Sequence, residues 1–297
     1  MNKSFTLIEI LVVIVIVGIL SAFIIVSMAG VSEKATIAKG QAFSNSLKNS
    51  LMMNLISEWK LDDGLGTQTS IEDTWSGGNN GNLVNFNFDA TDGWRTGADC
   101  IKRNCLLFDG TNDYISTGCD GLASAQGTVE LWVKLVEDKA QGLFHFYEAG
   151  LPLSDHIRSY ISPGRSIDLV IEDENVLMLN VSCVLNHNNQ WNHIVWLQDG
   201  QSVKLYVNGG RQTLGGTNNG SWWSGHLTIG SALFGNAWGY LHGFIDEIRV
   251  YNQALSTSAI QEDYYSGLNF LFKNNGIASK EFNQRLAELK SNSANNE

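Results

Sequence analysis

Glu9 stands at the start of an apolar run, Ile10 to Ser32, in which no side chain carries a charge. An unpaired carboxylate in hydrocarbon costs a few kcal/mol on insertion scales, so this one needs a partner. A cut between Ser4 and Phe5 would supply it, because the new α-amino group of Phe5 becomes a cation about one helical turn from Glu9. The pair can close within one helix or between neighbouring helices shifted along their axes. The charge then serves assembly rather than catalysis.

Other residues with chemical potential point the same way. Cys100, Cys105, Cys119 and Cys183 all follow the apolar run, and an even count beyond such a segment suits an oxidising exterior. Cys100 and Cys105 are close enough to staple one hairpin, which would leave Cys119 with Cys183, one of three connectivities. The alternative, a tetrahedral metal site, lacks Cys-x-x-Cys spacing. His193 lies in a strand-like run beside Trp191 and reads as a sheet histidine rather than a base. Glu172-Asp173-Glu174 is contiguous and reads as an acidic turn, and the adjacent Asp246 and Glu247 are expected on opposite faces of a strand. No Gly-rich phosphate loop precedes a helix. The chain is therefore read as non-enzymatic. Trp222, Trp223, Phe234, Trp238 and Tyr240 stand among Gly, Ser and Asn, where they could stack on sugar rings or fill the edge of a sandwich.

The elements that carry these residues change character along the chain. About twenty apolar residues at a rise of about 1.5 Å each match the roughly 30 Å core of a bilayer, so residues of about 8–30 are read as a membrane span. Ile37, Leu47, Leu51 and Leu55 extend helical spacing beyond it, giving one long helix over 5–56. From Glu58 short apolar runs alternate with Gly, Asn and Asp clusters. Val129, Leu131 and Val133 alternate along one such run, and Asp199-Gly200 and Asn208-Gly209 mark hairpin turns. The expected class is mainly β: an antiparallel sandwich or jelly roll over 57–268. A helical tail follows over 269–297, with Ser279 as cap and Phe282, Leu286 and Leu289 on one face. Thirty acidic against 19 basic residues give a net charge of −11, which disfavours nucleic acid.

Ser4-Phe5-Thr6-Leu7-Ile8-Glu9, after a short leader (1–4) with one cation at Lys3, resembles the processing site of type IV pilins and pseudopilins. That resemblance implies cleavage by a prepilin peptidase between Ser4 and Phe5, N-methylation of Phe5, and a role for Glu9 in docking to other pilin-like subunits in the membrane. Ser4 stands where Gly is usual. Two alternatives remain at this point: an uncleaved signal anchor, and a secretory signal cut after Ser27-Met28-Ala29.

A second resemblance covers the head. Trp59 to Thr67, Asp73 to Gly81, Leu107-Phe108-Asp109-Gly110-Thr111-Asn112-Asp113-Tyr114-Ile115, Trp191 to Val195, Val203 to Gly209 and Gly243 to Ser256 are similar, in this order, to the laminin G-like jelly roll of the concanavalin A-like lectins and glucanases. It implies two curved sheets face to face and a structural calcium with Asp73, Asn79 and Asp246 as ligands. The hydrolases of that superfamily carry Glu-x-Asp-x-x-Glu on one strand, and this chain does not. The combined expectation is a minor pilin or pseudopilin that holds a binding head outside the cell, its partner a glycan or surface protein. The alternatives are a non-polymerising surface lectin and a secreted carbohydrate-active enzyme.

Overall fold

The computed structural model describes residues 53–294 except 63, 76–77, 125, 148–155, 174–175, 186–188, 213–221 and 233–238. The segment read as a span, with Ser4, Phe5 and Glu9, lies outside them. Among the described residues no helix is long and apolar enough to cross a membrane.

The strands in chain order are β1 (Leu55–Trp59), β2 (Ser70–Ile71), β3 (Gly81–Val84), β4 (Gly93–Thr96), β5 (Asn104–Asp109), β6 (Tyr114–Ser116), β7 (Gly121–Ser124), β8 (Gln126–Leu135) and β9 (Gln141–Tyr147). They continue as β10 (His156–Ser162), β11 (Ser166–Asp173), β12 (Val176–Val184), β13 (Trp191–Asp199), β14 (Ser202–Val207), β15 (Gly210–Arg211), β16 (Trp222–Ser224), β17 (His226–Ile229) and β18 (His242–Tyr251). Two helices close the chain, α1 (Thr257–Lys273) and α2 (Ser279–Ala294). Leu55 and Ile56, expected to end the long helix, instead open β1.

Two eight-stranded antiparallel sheets stack face to face. The back sheet runs β15-β14-β13-β8-β18-β5-β4, with β1 also paired to β18; the front sheet runs β12-β11-β10-β9-β17-β6-β3-β2. Period-two alternation drives the stacking: Val129, Leu131 and Val133 of β8 enter the core between the sheets with Ile194 and Trp196 of β13 and Phe144 and Phe146 of β9. Asn208 and Gly209, at φ 52° and 76°, join Val207 to its partner Gly210 as the Asn-Gly turn requires.

The other face of β8 carries Glu130 and Trp132, and it too is buried. The tail covers it. Ser256 caps α1 by accepting a hydrogen bond from the Ala259 backbone N–H at 3.2 Å, so this helix begins well before the expected tail. Ile260, Tyr264, Leu268 and Leu271 recur along one buried side of it. Tyr264, Leu268, Leu271 and α2's Leu289 pack on Trp132, Trp191 and the Cys100–Cys105 disulfide as a second core. Arg285, with no exposed surface, donates from α2 to the Trp191 carbonyl at 2.7 Å and to Gln190 Oε1 at 2.8 Å. A β-carbon on Gly267 would lie 2.3 Å from the Trp132 ring. Gly267→Ala is therefore expected to destabilise by about 1–3 kcal/mol from overpacking, more than the roughly 1 kcal/mol that alanine gains in a helix. Denaturant titration of the two proteins checks the sign.

Candidate functional site

The helices cover the outer face of the back sheet; the candidate site lies on the outer face of the front sheet. Antiparallel register lines up residues distant in sequence there: His226 of β17 sits opposite Tyr147 of β9, Thr228 opposite both His145 and Ser116, and Ser116 opposite Asn82 of β3. Ser116 Oγ lies 2.9 Å from His226 Nε2, and His226 Nδ1 is 3.7 Å from Asp120 Oδ1. The Tyr147 ring stands edge-on to His226 at 5.8 Å and beside His145 at 5.2 Å. Burial, then the neighbouring Tyr114, raises the phenols of Tyr147 and Tyr240 above their ordinary value, so both are neutral donors at physiological pH. Tyr114, Ser116, Tyr147, His226 and Tyr240 are half-exposed. The strip offers ring faces, hydroxyls and an imidazole at close quarters, a combination that stacks on and hydrogen-bonds an uncharged polyhydroxylated ligand.

Ser116, His226 and Asp120 have the residue types of a nucleophile, base and orienting acid, but not the arrangement. The Asp120 side chain is 87% exposed, where water competes for its carboxylate, and 3.7 Å exceeds hydrogen-bond distance. Ser116 lies on a strand paired on both sides, not on a turn whose N–H groups face outwards as an oxyanion site requires. The Ser116 contact orients the His226 ring.

The residues expected from sequence are distributed as follows. β16, bearing Trp222 and Trp223, pairs with β7 and lies against β9 and β10, beside the strip. Tyr240 is joined to it by a bridge to Ser231. Phe234 and Trp238 lie outside the described residues. Asp73 and Asn79 are neighbours: Asp73 Oδ1 accepts from the N–H groups of Glu58 and Trp75, and Oδ2 accepts from Asn79. Asn79 Nδ2 donates to Ser57 Oγ at 2.6 Å, and its carbonyl accepts from the Trp59 indole. Asp246 has other partners: Oδ2 accepts from Ile101 and Lys102, Oδ1 from Glu247. Burial first, then the charge of Glu247, holds its carboxyl well above the ordinary value. Among the described residues, N–H donors occupy the Asp73 and Asp246 carboxylates, a poor fit to a cation.

Two sequence expectations are corrected. Cys100 and Cys105 are bonded, with Cα atoms 5.4 Å apart, but Cys119 and Cys183 form no disulfide. Cys183 is on β12, and Cys119 follows β6; strands β11, β10, β9 and β17 lie between β12 and β6 in the front sheet. At about 4.8 Å per strand that separation far exceeds disulfide reach. Burial raises the Cys183 thiol, which contacts Gln212 Oε1 at 3.1 Å. Asp246 and Glu247 do not alternate either. A bulge between Asp246 and Arg249, with Glu247 at φ 49°, turns both outwards, and Lys102 bonds one through its N–H and the other through its ammonium at 2.7 Å.

That bulge feeds an ionic network beneath the helices. The Arg249 guanidinium contacts Glu58 at 2.8 Å, Glu130 at 2.6 Å and Glu247 at 2.7 Å, with Lys60 on Glu58 and Lys102 on Glu247. His193, fully buried, lies 3.8 Å from Glu130 and 5.0 Å from the Trp132 ring, a sheet-face histidine as expected. Burial would raise Glu58, but Arg249 and Lys60 outweigh it and hold the carboxyl at about 2 against an ordinary 4.5. A depressed folded value contributes stability above the ordinary one and loses it as pH falls through the folded one. The stability gap between wild type and Glu58→Gln is therefore expected to shrink from about 3 kcal/mol at pH 6 towards zero near pH 2; urea titrations across that range would show it.

Residues 109–261 match the family model of the Concanavalin A-like lectin/glucanases superfamily. The chain belongs to that superfamily. In it, this lectin-like domain shares a chain with the prokaryotic N-terminal methylation motif, matched over residues 1–25. No curated protein sequence matches. Among solved structures, domain 4 of AbnA, an extracellular GH43 arabinanase of Geobacillus stearothermophilus in complex with arabinotriose, superposes with TM-score 0.52 at 19% identity over 70% of this chain and 97% of its own. The receptor-binding domain of botulinum neurotoxin mosaic serotype C/D gives 0.53 at 13% identity over 73% and 52%. The binding domain of Paraclostridial Mosquitocidal Protein 1 gives 0.52 at 16% over 74% and 53%. The chain spans about half of each toxin domain. These likenesses establish the shared fold.

Proposed function

We propose that this lectin-like protein is a type IV pilin-like subunit, a minor pilin or pseudopilin, that presents an oligosaccharide-binding head on the cell surface. The observation that carries the reading is one chain holding both the methylation motif at residues 1–25 and the lectin fold. A prepilin peptidase cuts before Phe5, the new amine pairs with Glu9, and other pilin-like subunits receive the helix. The head's role is binding rather than hydrolysis, in keeping with the loose Ser116, His226 and Asp120 geometry. Two similar folds support a glycan ligand: the arabinanase domain was solved with arabinotriose, and a botulinum neurotoxin type C structure concerns two ganglioside molecules.

Mass spectrometry of the N-terminus, on protein recovered from its native membrane, tests the first half. A chain starting at Phe5 with one added methyl is expected. A start at Met1 would leave a signal anchor and a start at Gly30 a secreted head, and either overturns the pilin reading. For the head, retention on an oligosaccharide array is expected to fall about five- to 150-fold in Tyr147→Ala, since one ring stack is worth roughly 1–3 kcal/mol. Equal retention of the variant on every ligand would exclude the strip as the site.

A further inference from the structure

Helix α1 closes over titratable groups that the binding strip does not use. On the outer face of the back sheet the register sets Trp132 of β8 opposite His193 of β13, and Glu130 of β8 opposite Arg249 of β18. His193 has no exposed surface. Its ring lies 5.0 Å from Trp132 and stacks on Tyr264 of α1 at 6.1 Å with 19° between planes. Nε2 stands 3.8 Å from Glu130 Oε1, beyond hydrogen-bond distance. Among the described residues neither ring nitrogen has a hydrogen-bond partner, and neither has Glu130 Oε2. A neutral imidazole placed in this way buries a donor and an acceptor that nothing satisfies, a cost that a protonated ring beside a carboxylate offsets.

The charges beneath the helix do not balance. Glu58 and Lys60 come from β1 and its end, Glu130 from β8, Glu247 and Arg249 from β18, and Lys102 from the loop before β5. To these α1 adds the half-buried Asp263, so four carboxylates face three cations. Glu262 beside Asp263 and Asp246 beside Glu247 can only enlarge the negative excess. The other groups do not correct it: Tyr251 and Tyr264 are phenols that burial raises above their ordinary value, and Arg285 of α2 is paired with Glu281 at 2.8 Å. Burial first, then the charge of Glu130, lifts the Asp263 carboxyl to about 6 against an ordinary 3.8, while Arg249 and His193 pull it the other way.

We propose that His193 and Asp263 form an acid-operated latch for the helical tail: as pH falls, protons settle on the His193 ring opposite Glu130 and on the Asp263 carboxylate, and α1 with α2 docks more tightly on the back sheet. Above neutrality the excess negative charge loosens the same contact, and the face that carries Trp132 and Trp191 is uncovered more often. A carboxyl raised in the docked state contributes stability that is complete below its ordinary value and is lost as pH rises through the docked one. Asp263 alone therefore makes opening of the tail about tenfold rarer at pH 5 than at pH 7.5. His193 acts in the same direction, because the charged ring is the form that pairs with Glu130.

Hydrogen exchange of the full chain in detergent at pH 5 and pH 7.5, corrected for the intrinsic pH dependence of amide exchange, reads the opening of α1 and α2 against the core amides of β8 and β13. The wild-type helices are expected to open at least about tenfold less often at pH 5, with a smaller change in the sheet. Asp263→Asn should open less often than wild type at pH 7.5 and keep part of the pH dependence, carried by His193. Asp263→Asn combined with His193→Gln should lose it to within about twofold. Should the double variant fail to fold, the ring resonances of His193 in the wild type decide, since they must shift between the two pH values. The latch is overturned by fixed His193 resonances, by no pH dependence in the wild-type helices, by a dependence lost entirely in Asp263→Asn, or by one that survives the double variant.

Discussion

Arg249→Ala is expected to destabilise the head by about 3–5 kcal/mol, the range for breaking a buried ion pair from one side. The upper end is favoured because one guanidinium serves three acids. Its Nε contacts Glu58, Nη1 contacts Glu130 and Nη2 contacts Glu247, while the side chains of Glu130 and Glu247 are 0% and 3% exposed. Removing the cation strands those charges beneath α1. Burial alone would lower the Arg249 pKa, yet Glu130 and its neighbours raise it well above the ordinary value, so the cation persists at any workable pH. The network also ties β1 to β18, because Glu58 is the register partner of Arg249. For a domain of this size a loss of that order lowers the melting midpoint by roughly 6–20 °C. Arg249→Lys should fall in between, since one ammonium cannot reach three carboxylates in a fixed fork. Differential scanning calorimetry of the three proteins checks the order; a change below about 1 kcal/mol for Arg249→Ala would show the network to be energetically idle.

Local signals explain which parts of this architecture are legible in the sequence. Val129, Leu131 and Val133 alternate because one face of β8 meets the core, and Asn208-Gly209 marks its turn because both residues adopt positive φ. Cys100 and Cys105 pair within a short loop. Features set by long-range register are not readable in that way. Cys119 and Cys183 look like a leftover pair until the strand order separates them. Ser116, Tyr147 and His226 become neighbours only when β6, β9 and β17 align. A bulge reversed the expected alternation of Asp246 and Glu247, and no composition rule announces it. α1 was within reach: Ile260, Tyr264, Leu268 and Leu271 keep helical spacing behind the Ser256 cap. Arg285 was not, since a buried arginine in a polar tail has meaning only opposite the Trp191 carbonyl.

Trp132→Ala should release the tail. The Trp132 ring is 2% exposed, stacks on Tyr264 at 5.6 Å with 19° between planes, and occupies the space that Gly267 leaves open. Truncating a buried tryptophan costs about 3–5 kcal/mol. The loss here falls on one side of β8, because Val129, Leu131 and Val133 on its other side keep the two sheets together. Hydrogen exchange is therefore expected to accelerate most in α1 and α2, while core amides of β8 and β13 stay comparatively protected. Val133→Ala, on the opposite face of the same strand, should instead speed exchange in both sheets. Equal loss of protection everywhere in Trp132→Ala would mean that helices and sandwich unfold as one unit. The distinction bears on function. If the tail undocks alone, the front-sheet strip keeps its geometry, and oligosaccharide retention should survive Trp132→Ala at temperatures below its melting midpoint while failing in Tyr147→Ala. A covered back sheet and a binding front sheet would then be separable parts of one head.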